Sequence, residues 1–72
     1  MTFDQAQMLV EVINRLDIFF EHHPHKTAAW LTTKNPHFGT REPINFFLIG
    51  RGHKVLNFVV SQLDENVDSN TK

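Results

Sequence analysis

A chain of 72 residues with seven Phe, one Trp and no Cys forms one small domain held by an apolar core, without disulfides or thiolate metal sites. Seven Lys and Arg, dispersed along the sequence against eight Asp and Glu, give no basic excess of the kind a dedicated nucleic-acid binder carries, so direct DNA binding by this chain alone is not expected. The start carries Asp4 and Glu11 and no basic segment, which excludes a signal peptide. No apolar run nears the ~18 residues of a membrane span, and the chain reads as cytoplasmic.

In chain order, Thr2-Phe3-Asp4-Gln5 has the form of a capping box, and a long helix is expected from Asp4 to Glu21. Ala6, Leu9, Val10, Ile13, Leu16 and Phe20 recur on one face, with Met8, Val12 and Phe19 on an adjacent stripe. That apolar surface is broader than one small partner helix covers, which makes this helix the candidate homodimer contact. Pro24 ends the segment and pushes His23 into extended backbone.

A short second helix is expected over 26–33, with Ala29, Trp30 and Leu31 or Thr33 inward. Lys34-Asn35-Pro36 stops it, and Gly39 supplies a positive φ in the turn that follows. Pro43 opens a third helix with Ile44, Phe47 and Leu48 inward, and Phe46 and Ile49 partly outside. Gly50 ends that helix, and a fourth begins near Gly52 with Val55, Leu56, Val59, Val60 and Leu63 inward. The expected fold is therefore all-α, a small bundle of one long and three short helices over residues 1–64. Residues 65–72 are expected as a loose tail. Met1 and the polar ending at Lys72 read as those of a complete small protein.

Several residues invite chemistry, and each has a plainer reading. His22, His23 and His25 are dense enough to hold a transition metal, but Pro24 constrains the loop and no Cys accompanies them. They read as a solvated loop without a metal. His37 and His53 stand apart from any Asp/Glu pair and Ser61 is alone, so neither an enzyme nor a cofactor is expected. Gly50-Arg51-Gly52 lacks the strand and the Lys-Ser/Thr of a phosphate loop. It reads as a helix break that holds Arg51 on a rigid elbow.

Ala28, Trp30, Leu31, Asn35, Pro36, Phe38, Gly39, Pro43, Phe46, Phe47, Leu48, Gly50, Gly52 and Val55 stand in an order that resembles the toxin-binding domain of the Xre/MbcA/ParS antitoxins of bacterial toxin–antitoxin pairs. The likeness covers about half the chain. Thr40 replaces that family's second turn glycine, Phe46 and Phe47 replace its usual leucines, and the N-terminal helix-turn-helix of complete antitoxins is missing here. What the resemblance implies is a toxin-binding module standing alone, whose partner is a RES-type toxin that consumes NAD. Trp30, Leu31, Pro43, Gly50, Gly52 and Val55 would hold the shape. Arg41, Arg51, His53, Lys54 and Asn57, along the elbow and the last helix, are the candidate toxin contacts, because Arg suits forked recognition of anions. The alternative is an orphan helical dimerisation or regulatory module, phage- or plasmid-derived, with no toxin.

Overall fold

The structure, a computed structural model, describes residues 1–64; the expected tail over residues 65–72 lies outside the described residues. Four α-helices, α1 (Phe3–Phe19), α2 (Pro24–Thr32), α3 (Pro43–Leu48) and α4 (Gly52–Val59), are joined by short connections. A 3-10 turn occupies Pro36–Phe38, and a π-helical turn at Val60–Asp64 continues α4. This is the expected all-α bundle of one long and three short helices. No strand occurs among the described residues, although Asn35 and Arg41 pair as an isolated antiparallel bridge. No helix among them is long and apolar enough to cross a membrane.

Thr2 caps α1 as its sequence directs, with Oγ1 accepting from the Gln5 amide at 3.2 Å. The other half of the capping box does not form. Gln5 turns inward instead, and its buried Oε1 accepts from the Gly52 amide at 2.8 Å. That bond satisfies one of the orphan amides at the start of α4 and pins the first turn of α1 to it.

The core joins Val12 and Leu16 of α1, Leu31 of α2, Phe38 of the 3-10 turn, Phe46 and Phe47 of α3, and Val55 and Val59 of α4. Met8, Leu9, Phe20, Trp30, Ile44, Leu56, Phe58 and Leu63 pack around it, partly buried. The inward arc of α1 falls between the two expected stripes. Val12 is fully buried, whereas Val10, Ile13 and Phe19 face out. The cause is α4, which lies along α1 and, through Gln5 and Gly52, sets its rotation.

Three smaller corrections have the same origin. In α2, Thr27 and Leu31 are buried and Ala29 is exposed. In α3, Phe46 turns inward against Phe38 while Leu48 is left exposed. In α4, Val59 is buried and Val60, where the π turn begins, is exposed. In each helix the neighbours already packed decide which apolar residue is covered.

The helix ends follow turn chemistry. α1 ends at Phe19 with Phe20 as its cap, short of the expected Glu21, because Glu21 and His22 have φ of 57° and 64°. Pro24 then acts as the first residue of α2, after the extended His23. α2 therefore begins two residues ahead of the expected Lys26.

Candidate recognition surface

Two backbone turns carry the arginines. The first is closed by Asn35. Its amide donates to Arg41 O at 3.1 Å, and its carbonyl accepts from the Phe38 and Thr40 amides at 2.9 and 3.1 Å. Its side-chain oxygen caps the 3-10 turn by accepting from the His37 amide at 2.9 Å. Gly39 and Thr40 then both take left-handed backbone, with φ of 65° and 60°. A β-branched residue is strained there. Thr40 nonetheless sits there, its hydroxyl donating to Gly39 O at 2.5 Å.

The second turn ends α3 in a Schellman motif. Gly50, at φ 81°, donates to Phe47 O at 3.4 Å, and Arg51 N donates to Phe46 O at 2.6 Å. Arg51 is thereby held over Phe46. Gly52 serves a different need. A Cβ there would come within 2.7 Å of Gln5 Oε1 and closer still to the Phe47 ring. Gly50 answers for conformation, Gly52 for space.

These turns and the outer face of α4 surround one shallow depression of about 750 Å³, lined by His37, Phe38, Gly39, Arg41, Phe46, Arg51, Lys54, Asn57, Phe58 and Ser61. Four of the five expected contact residues, Arg41, Arg51, Lys54 and Asn57, therefore share one site. His53 is exposed on α4, about a quarter turn away from Lys54, and does not line it. Among the described residues no carboxylate lines the depression. Arg41, Arg51 and Lys54 make no ion pair or side-chain hydrogen bond among the described residues.

The floor is aromatic. Phe38 meets Phe46 and Phe58 with ring centroids at 5.3 and 5.2 Å. Trp30 backs them, edge-on to Phe38 at 6.1 Å and stacked on Phe58 at 6.2 Å. It is a partly buried anchor beneath the site. Of the other residues expected to hold the shape, Leu31, Pro43, Gly52 and Val55 are buried, and Gly50 takes the left-handed backbone of the bend.

His37, Phe58 and Ser61 complete the lining, and the sequence reading left them out. Phe58 and Ser61 follow Lys54 at helical spacing, so extending the α4 face by one turn finds them. His37 has no such signal. It reaches the site only because the 3-10 turn folds back and sets its ring 4.9 Å from Phe58. Ser61 Oγ donates to Asn57 O of its own helix at 2.8 Å, so it is not paired with His37 as a nucleophile with its base. A basic rim, an aromatic floor and two amide or hydroxyl groups suit binding of an anionic, partly apolar group.

His22 and His23 bond back to the end of α1. His22 Nδ1 lies 2.6 Å from Asp17 Oδ2, and His23 Nδ1 lies 2.8 Å from Phe20 O. Among the described residues no group of three or more His, Cys, Asp or Glu side chains is placed to hold a metal ion. No known protein family, no curated protein and no solved structure matches the chain.

Proposed function

We propose that this chain is an antitoxin-like recognition module, and not an enzyme, which neutralises a RES-type toxin in the cytoplasm by covering its active-site cleft. Arg41, Arg51 and Lys54 present the charge, Asn57 adds hydrogen bonds, and His53 extends the contact along α4. Neutralisation is steric: the docked module keeps the NAD substrate out. Two copies associate through α1. The resemblance in the order of turn residues supplies the partner class.

The observation that carries the reading is the convergence of three cations, without a carboxylate or an ion-pair partner among the described residues, on one aromatic-floored depression. Side chains left unpaired in this way suit a partner that brings the anions. The toxin face that fits is acidic, since guanidinium groups engage carboxylates in forked pairs.

Mixing the chain with the product of the neighbouring gene, where that gene encodes a RES-type toxin, is expected to give a complex that co-elutes at micromolar concentration. Separate elution of the two counts against the reading. Arg51→Glu is expected to weaken neutralisation at least tenfold, read as toxin activity against added antitoxin, with helicity unchanged. Undiminished neutralisation by the folded variant means that the elbow is the wrong surface. The alternative, a dimerisation module with no toxin, draws on the exposed face of α1.

A further inference from the structure

The outward face of α1 carries Phe3, Val10 and Ile18, which are 75%, 57% and 70% exposed. Gln7 and Asn14 are exposed between them. Along the helix these residues form one straight stripe, because steps of three and four return to the same side. The stripe lines an open groove of about 1260 Å³ that also takes in Phe19 and Leu63. Single exposed apolar residues need no explanation, but three of them in one row with two amides between, on the longest helix, do.

The row has an order. Read in either direction it runs apolar, amide, apolar, amide, apolar. A surface that reads the same both ways is complementary to itself when a second copy is turned end for end, which is the requirement of a two-fold contact. We propose that α1 pairs with α1 of a second copy, antiparallel, about a two-fold axis beside Val10. Val10 then meets Val10, Gln7 meets Asn14 across the axis on either side, and Phe3 covers Ile18 at both ends.

The charges agree with this register. Glu11, which comes close to its own mate at the axis, is held by Arg15 of the same helix at 2.9 Å. Asp4 of one copy comes beside Arg15 of the other, opposite in sign. A parallel pairing instead stacks Asp4 on Asp4 and Phe3 on Phe3. The face of a 17-residue helix, about 25 Å long and about 10 Å wide, covers roughly 250 Å², less than the ~800 Å² per partner of a standard interface. The dimer is accordingly weak, forming at tens of micromolar and above. The inference deepens the self-association named in the proposed function and is independent of the toxin.

The absence of native cysteine makes the register directly readable by disulfide trapping in the full chain. Val10→Cys is expected to cross-link at least tenfold faster than Ala29→Cys, whose site is exposed on α2. Phe3→Cys mixed with Ile18→Cys is expected to give a mixed dimer, while neither cross-links efficiently with itself. Efficient self-linking of Phe3→Cys and of Ile18→Cys shows a parallel pair and overturns the proposal. So does a scattering mass of one chain, 8.4 kDa, at 200 µM together with no excess rate for Val10→Cys. A dimer that appears only after residues 65–72 are deleted assigns the groove to that segment and overturns it too. Val10→Glu is expected to abolish dimerisation with helicity retained. Binding to the toxin, measured separately with that variant, keeps failure here distinct from failure of the proposed function.

Discussion

The ends of α1 and α3 are built on the same plan and leave opposite surfaces. Both are Schellman motifs, in which the second residue past the cap bonds back over the last turn. At α1 that residue is His22, whose amide donates to Asp17 O at 2.7 Å; at α3 it is Arg51, bonded to Phe46 O at 2.6 Å. The left-handed position is Glu21 in one and Gly50 in the other. His22 then folds its ring onto Asp17 and closes the end locally. Arg51 has no such neighbour, and its side chain stands at the rim of the aromatic-floored depression. One backbone device therefore gives a sealed helix end in one place and a presented cation in the other. The difference lies in whether an acid sits one turn back: Asp17 at α1, Phe46 at α3.

Substitutions at these turns break or sharpen the contrast. The largest effect is expected from Gly52→Ala, where the new methyl meets the buried Phe47 ring and the Gln5 oxygen. Overpacking of this kind costs about 1–3 kcal/mol. With ~4–8 °C per kcal/mol for a domain of this size, a thermal melt reads it clearly. Gly50→Ala should cost less, about 1–2 kcal/mol, because nothing lies within 4 Å of a Cβ there and only the positive φ opposes it. A Gly50 variant that proves more damaging than the Gly52 one sinks the distinction between conformation and space. The smallest effect has the opposite sign. Glu21→Gly relieves a left-handed residue and should stabilise by up to ~1 kcal/mol, reduced by the greater freedom of Gly in the unfolded chain. A loss of stability there means that the Glu21 side chain contributes more than its backbone strain costs.

Much of the fold was legible residue by residue. Thr2, Pro43, Gly50 and the extended His23 act locally, through one hydrogen bond or one φ angle, and each does what its chemistry requires. Gln5 shows where local reasoning fails. Its capping-box spacing is correct, yet its side chain leaves the helix end to satisfy a buried amide 47 residues away. No local rule finds that partner. Glu21 is a second case: sequence reading runs α1 through it, since only Gly is expected at the left-handed cap, whereas the bonds of His22 and His23 hold it there.

The candidate surface divides in the same way. Lys54 and Asn57 share a helical face, and the glycines mark Arg51 as an elbow, so these were visible in order and spacing. Arg41 could be nominated, but its meeting with Arg51 depends on the Asn35–Arg41 bridge and on Phe38 being buried against Phe46. His37 was invisible for that reason, and His53 stayed outside because its angle on α4 differs from that of Lys54.

By itself the sequence determined the number of helices, most of their starts and stops, and an all-α core rich in Phe. These follow from φ restrictions, capping and apolar periodicity, which act within a few residues. Only the tertiary structure decided which stripe of α1 is buried, that Phe46 and not Leu48 enters the core, and that three cations face one depression. Those outcomes depend on which surfaces meet, and packing between elements distant in sequence selects among faces that local periodicity leaves equivalent.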